Sequence, residues 1–224
     1  MPGHDRVTVE AVKADPRVAG FIAGADRHLA AIGFTEHGER HCTLVSRISY
    51  NVLRRLGFDE RSAELAAIAG YTHDVGNVVA REGHAQTGAA LMAPILHDLG
   101  MPPDEVAVVM GAIGNHEERH GHPVNPVSAA LILADKSDVH RTRVRNPDTA
   151  TFDIHDRVNY AAVRSFLNVD GAARTVTLEL TIEPDVTSVM EYFEIFLDRM
   201  VMCRRAAESL DARFHLVING ATLL

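Results

Sequence analysis

The stretch DERSAELAAIAGYTHD, residues 59–74, decides the architecture. Asp59 is a ready N-cap, and the alanines that follow have the best helix propensity of any residue. From Leu65 to Thr72 there is no charge on any side, the mark of a helix buried all round. Yet the run ends in His73 and Asp74, side chains that are costly to bury without partners, with Gly76 just beyond as a candidate C′ residue.

Working outward, HGERHCTLVSRISYNVLRRL (37–56) spaces its apolar residues as a helix does, and Gly57 ends it. HAQTGAALMAPILHDL (84–99) is a third helix, which Pro94 is expected to kink or divide. In MPPDEVAVVMGAIGNHEE (101–118) Asp104 is the expected cap of a fourth, and NPVSAALILADKSDVHR (125–141) starts a fifth after Asn125, with Pro126 at its first position. Short polar or glycine-containing loops join the five into a helical bundle.

Past RTRVRNPDTATFD (141–153) the texture changes. VNYAAVRSFLNVD (158–170) and ARTVTLELTIE (173–183) are rich in β-branched and aromatic residues around a DGAA turn. SVMEYFEIFLDRMVMCRRAAESLDA (188–212) reads as an amphipathic helix with an apolar stripe at Met190, Phe193, Leu197, Met200 and Val201, and RFHLVINGATLL (213–224) as a last strand. The fold expected is mainly α: a helical domain over 1–148, its core at 37–145, and a small α+β domain over 149–224. That stripe packs either on the domain's own strands or on a second copy in a homodimer.

Composition narrows the function. The 224 residues carry 22 Lys+Arg against 30 Asp+Glu, a net charge of −8, which disfavours binding to polymeric nucleic acid. No apolar run approaches the roughly 18 residues a membrane span needs, and the N-terminal segment lacks the pattern of a signal peptide; a cytoplasmic protein without membrane partners is expected. Cys42 and Cys203 are the two cysteines, far apart and inside helical patterns, so neither a disulfide framework nor a thiolate zinc site is expected. Histidine appears 13 times, lysine only at Lys13 and Lys136. Such a chain suits metal bound through imidazole and carboxylate.

One helix face recurs at i, i+3, i+4 and i+7, and on that test several polar residues point inward. His41 leads Leu44, Val45, Ile48 and Val52; His73 is backed by Ala66, Ala69 and Gly70, and Asp74 by Ala67, Gly70 and Tyr71. His84 leads Gly88, Leu91 and Ile95, His116 follows Val109, Ala112 and Ile113, and Asp135 follows Ser128, Leu131 and Ile132. Four imidazoles and two carboxylates converging on one interior need a shared counter-charge. A divalent cation supplies it.

The ordered set His41, His73-Asp74, His84, His116, Asp135, with its segments YTHDVGN, GHAQTGAALM, GNHEERHGHP and ILADKSD, resembles the HD superfamily of metal-dependent phosphohydrolases over residues 37–145. The resemblance implies a helical bundle in which these six residues bind divalent metal ions (Mn, Fe, Co, Ni or Zn), two of them, with Asp74 as the bridge. It further implies hydrolysis of a small phosphorylated substrate, such as a nucleotide, by metal-activated hydroxide. The later histidines are similar to those of the HD-GYP cyclic-dinucleotide phosphodiesterases, with three departures: Asn115 for a histidine, Gly121-His122-Pro123 for Gly-Tyr-Pro, and Asn77 for the lysine of HDxGK. With that lysine absent, Lys136 and Arg119 are the candidate cations for a substrate phosphate. His37 and His120, each one turn from a ligand, are candidates for an extra ligand and a proton shuttle, whereas His155-Asp156 lies outside the pattern. The ligand order also resembles that of HD-type mixed-valent diiron oxygenases, and a nucleotide-binding regulatory HD domain is the non-enzymatic alternative.

Overall fold

The structure, a computed structural model, describes residues 6–223. Two helices unread in the sequence come first, α1 (Val9–Ala14) and α2 (Pro16–Ala31), with Asp15 capping the second. The bundle proper follows as α3 (Glu39–Arg55), α4 (Glu60–Thr72), a 3-10 turn (Val75–Val78), α5 (His84–Asp98), α6 (Pro103–Gly114) and α7 (Pro126–Lys136). Asp59 caps α4 by accepting from the Ser62 amide, and Asn125 forms a capping box with Ser128 at α7. Helix α7 is the axis: every residue from Val127 to Ala134 is buried, and α3, α4, α6 and a long C-terminal helix pack around it.

Two local expectations are corrected, at Gly76 and Asp104, and a third is narrowed at Pro94. Gly76 does not end α4 in a left-handed conformation; it lies inside the 3-10 turn, where a Cβ would stand 1.9 Å from the His84 carbonyl oxygen and 2.5 Å from the Gly88 nitrogen. Close backbone approach, not φ, requires glycine there. Pro94 sits within α5 without dividing it, and Pro102, not Asp104, is the N-cap of α6, leaving Asp104 in the first turn.

The chain then forms α8 (Ile154–Ala161), β1 (Ala162–Asp170), β2 (Thr175–Ile182), α9 (Val189–Ser209), β3 (Arg213–Ile218) and β4 (Ala221–Thr222). One sheet results, in the order β1-β2-β3-β4. β1 and β2 are an antiparallel hairpin, α9 is the crossover to the parallel neighbour β3, and Asn219-Gly220 turns the chain back into β4, so the expected last strand is two. The architecture is mainly α with a small α+β part. Helix α9 buries Tyr192, Phe196, Met200 and Cys203, whereas Met190 and Leu197 of the expected stripe are exposed. Part of the stripe, Met200 and Phe193, packs within the chain, and α9 packs on α7 as well as on the sheet. That contact carries the C-terminal helix to the polar centre of the bundle.

Candidate metal centre

The six inward residues meet in one place. Gly70 lets α3 and α4 approach so closely that a Cβ would lie 2.9 Å from Ser46 Cα, and His41 and His73 face each other with Nε2 atoms 3.2 Å apart. The Gly76 contact brings α5 against the 3-10 turn, and there His84 and His116 face each other at 3.1 Å. Asp74 stands between the two pairs. Its Oδ2 lies 3.3 Å from His73 Nε2 and 3.7 Å from His41 Nε2, and its Oδ1 lies 3.5 Å from His84 Nε2 and 3.9 Å from His116 Nε2. Asp135 closes the first group, with Oδ1 3.4 Å from His41 Nε2 and 3.7 Å from His73 Nε2.

The outer face of each ring fixes its tautomer. His73 Nδ1 donates to the Gly70 carbonyl (2.9 Å), His84 Nδ1 to the Arg81 carbonyl (2.9 Å) and His116 Nδ1 to the Ile113 carbonyl (2.6 Å). A carbonyl only accepts, so each Nδ1 carries a hydrogen and each Nε2 is the nitrogen turned to the centre, the one able to give a lone pair to a metal. His41 Nδ1 donates instead to the carboxylate of Asp138, at 2.7 Å. Outer carbonyls and carboxylates are the usual supports of metal-binding imidazoles.

Opposed lone pairs and two buried carboxylates are unstable without a cation between them. Oδ2 of Asp74 is buried with no hydrogen-bond partner, and three overlapping triads, His41/His73/Asp74, His73/His116/Asp135 and Asp74/His84/His116, each hold their ligand atoms within 4.8 Å of one another. The donor set therefore fits divalent ions of the imidazole–carboxylate type. Titration agrees with the geometry. Burial keeps His84 and, more strongly, His116 from protonating. Burial opposes charge on His73 as well, but the Asp74 and Asp135 carboxylates outweigh it and raise its pKa to about 10. Burial would raise Asp135 too, yet Lys136 and the two imidazoles hold it well below the usual carboxylate range.

The candidate cations divide. Lys136 is buried, pairing with Asp135 Oδ2 at 2.7 Å and with Glu118 Oε1 at 3.0 Å. Arg119 is exposed and stands apart from the small all-polar recess over the ligands. In its stead the recess is lined by Arg81, whose Nη1 lies 3.5 Å from His84 Nε2, and by Arg199 of α9, whose Nε lies 2.9 Å from Glu118 Oε1. Burial opposes charge on Glu118, but Lys136 and Arg199 bring its pKa down to about 2. His37 lines the recess as well, its Nδ1 donating to the Thr35 carbonyl at 2.6 Å. His120 is exposed, and His155-Asp156 lies in α8, in none of the three ligand triads. Sequence reasoning missed Asp138, Arg81, Glu118 and Arg199. Only Asp138, three residues after Asp135 in DKSD, left a local signal.

Residues 38–139 match the sequence family of HD domains. This segment is an HD domain. Its limits enclose all six inward residues, and the HD dipeptide of the fold is His73-Asp74. No curated protein matches the chain. HD domains are commonly metal-dependent hydrolases, and the buried His/Asp cluster is compatible with a metal site; no described helix is long and apolar enough to cross a membrane.

Proposed function

We propose that the protein is a dinuclear metal-dependent phosphohydrolase acting on a small phosphate ester. The observation that carries this reading is the division of Asp74, one carboxylate oxygen toward His41 and His73 and the other toward His84 and His116. A carboxylate so placed would serve two ions, of which His41, His73 and Asp135 would hold the first and His84 and His116 the second. Ions bound there supply Lewis acidity toward a phosphoryl oxygen and lower the pKa of a water for attack on phosphorus.

The chain's own residues do the rest. The recess is lined by charged and imidazole side chains alone, so the part of the substrate that enters it is its phosphate. Lys136 and Arg199, held at the mouth by the ionised Glu118, and Arg81 beside His84 supply the positive charge that Asn77 does not. Asn77 serves the metal side of the site instead, since its side-chain amide donates to Asp74 Oδ1 at 2.9 Å and orients the bridging carboxylate. Phosphate is recognised well by such fixed cations.

The test is metal analysis of the purified protein, then phosphomonoester, phosphodiester and nucleotide substrates with Mn, Co or Ni added back. Phosphate release that disappears in Asp74→Ala supports the proposal. Metal-dependent oxygen uptake without phosphate release overturns it in favour of the oxygenase class.

A further inference from the structure

A second cavity lies away from the metal centre. A slot of about 470 Å³ lies between α3 and the outer strand β1, and it shares no lining residue with the recess. Its size falls in the range of small-molecule sites, which favour the seam between structural units. Its length follows α3: Leu44, Ile48, Val52 and Arg55 all line it, and from 44 to 55 a helix advances about 16 Å. The opposite wall is β1, where Leu167 and Val169 face the slot and Phe166, exposed, stands at its lip. The body of the slot is therefore apolar and elongated.

Its polar groups are unequal. Asp138 at the inner end already accepts from His41 and Arg40, with Arg143 alongside, so it asks nothing of a ligand. Arg40 is committed to Glu36 and Asp138, and His140 to Thr142 and the Val163 carbonyl. At the other end, Arg55 and Asn51 make no side-chain hydrogen bond or ion pair with any described residue. Both are exposed, and their polar groups are uncommitted to protein partners at the mouth of an apolar slot. Burying such a slot with a hydrocarbon body while an acid group meets a guanidinium satisfies both ends at once.

We infer that this slot is a second ligand site, for an elongated apolar molecule carrying a single anionic head at Arg55. A polyphosphate does not suit it, because one uncommitted cation stands over a largely apolar wall. Arg55 and Ile48 belong to no part of the metal centre, so the site is tested apart from hydrolysis.

The test is calorimetric titration of the metal-loaded protein with octanoate and, separately, with octan-1-ol. Saturable one-to-one binding of octanoate, tighter than of the alcohol, is expected. Arg55→Glu should weaken it about tenfold or more, the order of one lost charge-assisted bond, Arg55→Lys should largely restore it, and Ile48→Trp, which fills the slot, should remove it while metal content stays at wild-type level. Equal binding by wild type and Arg55→Glu, equal binding of acid and alcohol, or octanoate binding unaffected by Ile48→Trp would each overturn the inference.

Discussion

Asp138 touches no candidate metal position, yet it holds the Nδ1 hydrogen of His41 and is itself held well below the usual carboxylate range, against its burial, by Arg143, His41 and Arg40. Asp138→Asn keeps the shape and loses the charge that makes His41 a strong donor to metal. Metal affinity is expected to fall about 10- to 100-fold, with activity recovered at high metal concentration; a titration of apoprotein with Mn or Co checks it. Asp74→Asn should not be recoverable, since both groups of imidazoles lose their shared anion. His73 gives a pH prediction. Its pKa in the metal-free protein is raised to about 10, above the ordinary value of about 6.5, so its contribution to stability is fully present below about pH 6.5 and is lost as pH rises through 10. Metal takes the place of that proton. Uptake at pH 8 is therefore expected to release about one proton from His73, measured with an indicator dye in weak buffer, and the metal-loaded protein should lack the alkaline loss of stability in thermal melts.

At the scale of elements, the site depends on two close approaches, α3 on α4 at Gly70 and the 3-10 turn on α5 at Gly76. Gly76→Ala is expected to cost about 3 kcal/mol, because the atoms a Cβ would strike are backbone and cannot rotate away. It should also displace His84 and halve the bound metal before the fold is lost, which thermal melts and metal analysis distinguish. These contacts mark where reading from sequence stops. The uncharged run of 65–72 and that of 127–134 report burial directly, since they are buried on every side, so the bundle and the convergence of the six inward residues were legible. Gly76 was seen but given the wrong reason, because a helix-ending glycine and a close-contact glycine look alike in sequence. The partners Arg81 and Asp138 needed the three-dimensional path of a turn and a helix end. The burial of Tyr192 and Phe196 on α9, outside the expected stripe, has the same origin: with apolar residues on more than one face, the choice of face belongs to the packing partner.

At the scale of the whole molecule, the question is why the C-terminal part is attached to an HD domain that already contains all six inward residues. Arg199 gives one answer. It is 64 residues beyond Asp135 in sequence, outside the matched segment 38–139, and reaches the recess only because α9 packs on α7 and pairs with Glu118 of the α6–α7 loop. A metal centre alone binds many anions; a guanidinium fixed at its mouth selects for geometry and charge. Arg199→Ala should then leave bound metal unchanged and raise KM for the phosphorylated substrate about 10- to 100-fold, the order of a lost charge-assisted hydrogen bond, with a smaller change in kcat. Arg119→Ala, nearer in sequence but exposed, should stay within about twofold of wild type, as surface charges do. Steady-state kinetics of the two variants beside metal analysis makes the comparison. If both behave alike, the C-terminal helix supports the bundle without taking part in recognition, and the cation for the substrate phosphate must be sought in Lys136, Arg81 and Arg143.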